Sequence, residues 1–145
     1  MIQIPNQLYF EEICRQIADG SRSVKIRVAG KSMEPFVRDG KDFVIISALP
    51  EGHRFRRNEL LLFRYNGQHI IHRVEKVSEQ EITFKGDHQT NCEKVPLSEI
   101  LAMVSAIELA NGIRLHSLSL IWNLRSLRSR MVLKTRMLKR KIRRQ

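Results

Sequence analysis

Apolar positions recur with a helical period at both ends of the chain and with a strand period between them. In residues 6 to 19, Leu8, Phe10, Ile13 and Ile17 fall near one face, Asn6 can cap the turn, Glu11 and Glu12 sit early, and Gly20 can stop it. From residue 22 the period shortens to two: in SVKIRVAG, Val24, Ile26 and Val28 alternate with Lys25 and Arg27, which predicts a half-buried strand. DFVIIS, ELLLFRY, HIIHRVEKV and EITFKGD predict four more strands, and Asn66-Gly67 joins the second and third of these as a tight hairpin. ILAMVSAIEL fits either period, but Asn111-Gly112 followed by IRLH favours another hairpin. After about residue 116, Leu120, Leu124, Leu127, Met131 and Leu138 return at spacings of three, four or seven, with Lys and Arg on the other faces. The pattern predicts a mainly β domain over residues 1–113, with a short N-terminal helix at about 6–19, and a basic amphipathic helical tail over 114–145.

Composition sharpens that division. The 145 residues, 42% of them hydrophobic, suffice for one domain with a core. Of the 26 Lys and Arg, 15 precede Arg114, as do all 15 Asp and Glu, so the body is neutral and the net charge of +11 belongs to the tail. Cys14 and Cys92 have no CxxC spacing and no His/Cys cluster around them, so both read as reduced thiols, and neither a metal nor a cofactor is expected. A basic stretch followed by an apolar run is missing from MIQIPNQLYFEEIC, and no run of about 18 apolar residues occurs, so the body is not expected to cross a membrane.

The run GKSMEPF, residues 30 to 36, carries the first candidate chemistry. Gly30 permits a backbone conformation that other residues resist, and Pro35 fixes φ and stops strand pairing, so Ser32, Met33 and Glu34 form a short non-strand segment between two strands. Its backbone N–H groups are then free for an oxyanion, which makes Gly30, Met33 and Pro35 the expected substrate and oxyanion loop. A serine hydroxyl becomes a nucleophile only with a base to take its proton. Of five histidines, His72 is the candidate, because in HIIHRV it shares a face with Ile70 and Val74 while His69, Ile71 and Arg73 take the other. A third group should orient the imidazole, and Asp87 in KGD or Glu93 six residues later could do so. The plainer readings are a hydrogen-bonded core histidine and a turn aspartate.

Taken in order, these runs resemble type I signal peptidases and the related SOS-repressor autoproteases. GKSMEP looks like their nucleophile box, FVRDGKDFVII is similar to the segment behind it, and LLLFRYNGQHIIHRVEKV resembles the general-base box. Bacterial signal peptidases hold a lysine before Arg-Val; His72 stands there, as in the endoplasmic-reticulum-type and archaeal-type branch that uses histidine, and FKGDHQ resembles that branch's Lys-Gly-Asp-Asn box. The resemblance covers about residues 24 to 107 and implies Ser32 as nucleophile, His72 as general base, and Asp87, or Glu93 in its neighbourhood, as orienting acid. Three departures stand out. Glu93 is longer by one methylene than the family's acid; Asn58-Glu59 replaces a usual Gly-Asp; and a short polar-faced helix stands where signal peptidases have a membrane anchor. Too few residues precede Ser32 for a helix-turn-helix domain of the repressor kind.

The expected function is therefore serine endopeptidase cleavage of a peptide or leader segment, with a catalytically inactive peptide- or membrane-binding module on the same fold as the alternative. Residues 114–145 fit a helix lying on an anionic membrane surface, with Trp122 at the headgroup level; packing of the stripe on the β body is the rival. The apolar stripe argues against nucleic acid, since phosphate binding has no use for Leu and Met. The expected location is cytoplasmic or peripheral on the inner face of the membrane.

Overall fold

A computed structural model describes residues 2–3, 7–18 and 22–144, with side chains for 11–18 and 22–144. In chain order the elements are β1 (Ile2–Gln3), α1 (Gln7–Ile17), β2 (Val24–Arg27), β3 (Phe43–Ser47), β4 (Leu60–Tyr65), β5 (Gln68–Val77), β6 (Glu81–Lys85), β7 (Cys92–Pro96), a 3-10 turn (Leu97–Glu99), β8 (Ile100–Glu108), β9 (Arg114–His116) and α2 (Leu120–Arg143). The fold is mainly β with a short N-terminal and a longer C-terminal helix. Its strands form one antiparallel sheet in the order β2-β3-β8-β4-β5-β6-β7, with β1 on β5 and β9 on β8. The Asn6 cap, the Gly20 stop and the side chains of Leu8 and Phe10 lie outside the described residues.

Local chemistry accounts for most of these elements. Asn66 and Gly67 have φ of 49° and 74°, the paired positive values of a two-residue hairpin, and they set β4 against β5 in the register Leu61↔His72 and Phe63↔Ile70. Alternation then sends neighbouring residues to opposite sides. Leu60, Leu62 and Ile71 join a core with Met33, Phe36, Val44 and Trp122, while Leu61, Phe63, Ile70 and Val74 join a second with Ile82, Phe84 and Val95. The β4–β5 hairpin is therefore buried on both faces, and His72 and Arg73, adjacent in sequence, look into different layers.

Two sequence expectations are corrected. Residues 88–99 hold a strand, β7, that the period count leaves as loop; its five residues bury only Glu93 and Val95, too short and too polar a signal to stand out. Residues 114–116, placed above within the tail, instead form the hairpin that Asn111-Gly112 and IRLH favour: Leu115 is buried and pairs with Ile107, so only the start of the tail is corrected. The helix begins only at Leu120, capped by Ser119, whose hydroxyl accepts from the Trp122 N–H at 3.2 Å.

The orientation of α2 runs against its pattern. At about 100° per residue, Leu120, Leu124, Leu127, Met131 and Leu138 line one side, and Trp122, Ser126 and Ser129 line the other. The second group is buried on the body; the five apolar residues are 53% to 75% exposed. No helix among the described residues is long and apolar enough to cross a membrane.

Candidate active site

The run GKSMEPF lies in the connection between β2 and β3. Its neck is tied by Val28 N–H to the Asp42 carbonyl at 2.9 Å and by Gly40 N–H to the Val28 carbonyl at 2.8 Å. Gly30, at φ 104°, turns the chain where an L side chain would be strained, and its N–H donates to Asp39 Oδ1 at 3.0 Å. Met33, Phe36 and Val37 plunge into the core directly after Ser32, so the segment is anchored by side chains, and its backbone is tied by the Glu34 N–H to the Lys31 carbonyl at 3.1 Å and the Val37 N–H to the Met33 carbonyl at 3.2 Å. Asp42, fully buried, accepts from the Arg38 N–H at 2.7 Å, from the Arg38 guanidinium at 3.1 Å and from the Ala110 N–H at 3.0 Å. Burial alone would raise the Asp42 carboxyl, but the bonds from Arg38 and Ala110 outweigh it and hold the group below the usual carboxylate range.

Within the expected oxyanion loop the three residues differ in what they offer. Gly30's N–H is taken, Pro35 has none, and the Met33 side chain is a core anchor. The N–H groups of Ser32 and Met33 donate no hydrogen bond among the described residues.

Ser32 Oγ lies 3.0 Å from Nε2 of His72, forty residues on. On the other side of the ring, Nδ1 lies 2.7 Å from Oε1 of Glu93. That contact is short but bent: neither Nδ1 nor Glu93 Oε2 has an aligned hydrogen-bond partner among the described residues. Serine–imidazole–carboxylate arrangements of this kind often align fully only with substrate in place. Glu93 reaches His72 because β7 pairs with β6 and β6 with β5, in the chain of partners Glu93↔Phe84↔Val74 on one face. Phe63 closes that face, its ring 6.2 Å from the imidazole centroid and stacked on Phe84 at 4.0 Å. Across the strand from the ring stands Gly86, where a Cβ would fall 3.1 Å from His72 Nε2 and 2.8 Å from the Ser32 carbonyl oxygen. Only a residue without a side chain lets the two loops meet there.

Asp87, expected as the orienting acid, is not beside the imidazole. Arg73 donates to both its oxygens, from Nε at 2.7 Å and Nη2 at 2.8 Å, and Ser129 donates to Oδ2 at 2.6 Å. Arg73 takes the opposite face of β5 from His72, and a fully buried guanidinium needs a counterion there. The sequence sets Arg73 beside the inward His72 but does not show which acid each of them meets; the pairing of strands brings Asp87 to Arg73 and Glu93 to the ring. Ser126 and Ser129, which complete this cluster from α2, had no sequence signal of their own.

A family model for Peptidase S24-like domains matches residues 2–105. The chain belongs to the Peptidase S24-like family. No curated protein and no solved structure matches it. Family membership accords with the sheet and with a serine-peptidase type of site, and the Ser32 loop, His72 and Glu93 all fall inside the S24-like span. Helix α2 lies beyond it. Burial pushes the Cys14 thiol up.

Proposed function

We propose that this S24-like chain is a serine endopeptidase of histidine type, in which Ser32 attacks and His72 is the general base. The observation that carries the reading is the 3.0 Å contact between the buried Ser32 Oγ and His72 Nε2. Nε2 takes the hydroxyl proton as Oγ adds to a peptide carbonyl carbon. The oxyanion so formed is within the compass of the unengaged Ser32 and Met33 N–H groups. Nε2–H then protonates the departing amine, leaving acyl-Ser32, and the same base activates the water that releases it. Glu93, against Nδ1, holds the ring in the tautomer with Nε2 unprotonated and offsets the imidazolium charge. Replacement of Ser32 by Ala and of His72 by Ala, assayed on a peptide library with the wild type, tests the assignment: both variants should lose turnover, and equal cleavage by all three would remove it in favour of a non-catalytic peptide-binding module.

The second part of the proposal is peripheral attachment to an anionic membrane through α2. The exposed Leu120, Leu124, Leu127, Met131 and Leu138 face away from the body, so packing on the β core cannot account for the stripe. Lys and Arg flank it with no acidic residue from Arg114 onward, which matches lipid headgroups around a buried apolar strip. Co-sedimentation of the full chain with phosphatidylglycerol vesicles should be strong, and should fall with a triple Leu124→Asp, Leu127→Asp, Met131→Asp variant. Undiminished binding by that variant would sink the attachment, and salt-sensitive binding to duplex DNA in place of vesicles would turn the tail to nucleic acid.

A further inference from the structure

The residues that brace the turn behind Ser32 come from a helix outside the S24-like span. We infer that Ser126 and Ser129 of α2 are positioning residues for the Ser32–His72 pair, so that α2 completes the active site from beyond the S24-like span; the inference rests on the peptidase reading above.

His72 is next in sequence to a single buried clamp, and Ser32 touches the two residues that flank one of the clamp's members. His72 precedes Arg73 in β5. The turn after β6 runs Gly86, Asp87, His88: Gly86 lies against both His72 Nε2 and the Ser32 carbonyl, and the His88 N–H donates to that same carbonyl at 2.8 Å. Asp87, between them, is gripped by Arg73 from one side and by the Ser129 hydroxyl from the other. The remaining Arg73 nitrogen, Nη1, donates to Ser126 Oγ at 2.7 Å and to the Asn58 carbonyl at 3.0 Å, and the Ser126 hydroxyl donates in turn to the Trp122 carbonyl at 2.8 Å. Trp122 Nε1 meets the same Asn58 carbonyl at 3.1 Å. The network thus ties α2 to β5, to the turn that holds Ser32's carbonyl, and to the turn before β4.

Chemistry explains why two hydroxyls sit beside Trp122 on the buried side of α2. Arg73 and Asp87 are buried, and a buried ion pair is tolerated only if the donors and acceptors left over find partners. Ser126 and Ser129, three residues apart and so on one face, supply one acceptor and one donor at the right places. An apolar helix face would cover the same surface but leave Nη1 and Oδ2 short of partners, at a cost comparable to a lost charged hydrogen bond. With Ser129 removed, Asp87 is held from one side only, and the 86–88 turn is free to move against Ser32 and His72. Displacements of about 1 Å at reacting groups cost on the order of 100-fold in rate.

The test uses the full chain, with two readouts. One is single-turnover acylation of Ser32 by a fluorophosphonate, set beside peptide kcat and KM; the other is the imidazole 15N signal of His72, which reports its bond to Ser32 whether or not the chain cleaves anything. Trp122, the sole tryptophan, shows by its emission whether α2 is still seated. Ser129→Ala and Ser126→Ala should acylate roughly 10- to 100-fold more slowly, lose kcat with little change in KM, and shift the His72 signal while Trp122 stays buried. Ser129→Thr, which keeps the hydroxyl, should recover most of the rate, and Ser129→Val, its isostere without one, should not; this pair decides the matter if the Ala variant melts. Wild-type acylation and unmoved His72 signals in both Ala variants would overturn the inference. If the wild type itself is never labelled at Ser32 yet His72 signals move in Ser129→Ala, the positioning stands and the peptidase reading falls.

Discussion

Replacing Gly86 by alanine adds one methyl group at the tightest place in the site. The new Cβ would stand 2.8 Å from the Ser32 carbonyl oxygen, where ordinary contact begins at 3.4 Å, so 0.6 Å (3.4 − 2.8) must be found by moving something. Of its three nearest neighbours, Gln89 Oε1 at 3.1 Å can swing aside, but the Ser32 oxygen is backbone and is already bonded to the His88 N–H, and His72 Nε2 at 3.1 Å belongs to the pair itself. The strain therefore falls on the Ser32 loop or on the imidazole. Overpacking of this kind costs roughly 1–3 kcal/mol of stability, and a shift of over half an ångström between Oγ and Nε2 should cost catalysis about 10- to 100-fold. Urea denaturation measures the first and fluorophosphonate acylation with peptide kcat/KM the second. A Gly86→Ala protein as stable and as fast as wild type would refute the close packing of this turn on Ser32 and His72.

Glu93→Gln keeps size but loses charge; it should lower kcat by between about 10²- and 10⁴-fold with the fold intact, and a pH–rate profile identical to wild type would return the orienting role to another acid. Arg73→Met strands a buried Asp87 and should cost about 3–5 kcal/mol by denaturant titration, whereas a loss below roughly 1 kcal/mol would mean that the pair behaves like a surface one. Asp42, held below its unfolded value of about 3.9, contributes in full above that pH, and the contribution is lost as pH falls through the lower folded value. Asp42→Asn should accordingly be less stable near neutrality and show a flatter acid limb below about pH 4; parallel acid-unfolding curves for the two proteins would contradict this.

Much of the fold is legible because its signals are local. The alternation in SVKIRVAG and EITFKGD, the Asn66-Gly67 turn and the helical return after about residue 116 each depend on residues within one or two turns of each other. Strand β7 escapes because CEKVP buries only two side chains, one of them a carboxylate that no hydropathy pattern would put inside. That same carboxylate is the one the histidine meets, so the missed strand and the uncertain acid are one omission. Asp87 was the nearer guess along the chain, but its sequence neighbourhood could not reveal that Arg73, on the other face of β5, already claimed both oxygens.

From the order of residues alone come the alternation that makes a sheet, the glycine- and proline-bracketed loop that presents Ser32, the inward His72, and a basic tail with an apolar stripe. Only the tertiary structure decides that Ser32 and His72 stand 3.0 Å apart, that Glu93 takes Nδ1, and that α2 turns the stripe of Leu120, Leu124, Leu127, Met131 and Leu138 outward and Ser126 and Ser129 in. Periodicity is set by backbone geometry over a few residues, whereas these choices depend on strand register across β5, β6 and β7 and on which buried charge finds which partner. A helix with two distinct faces can dock by either one; here the docked face joins Trp122, seated in the core against Phe36, to the two hydroxyls that partner the buried Arg73–Asp87 pair.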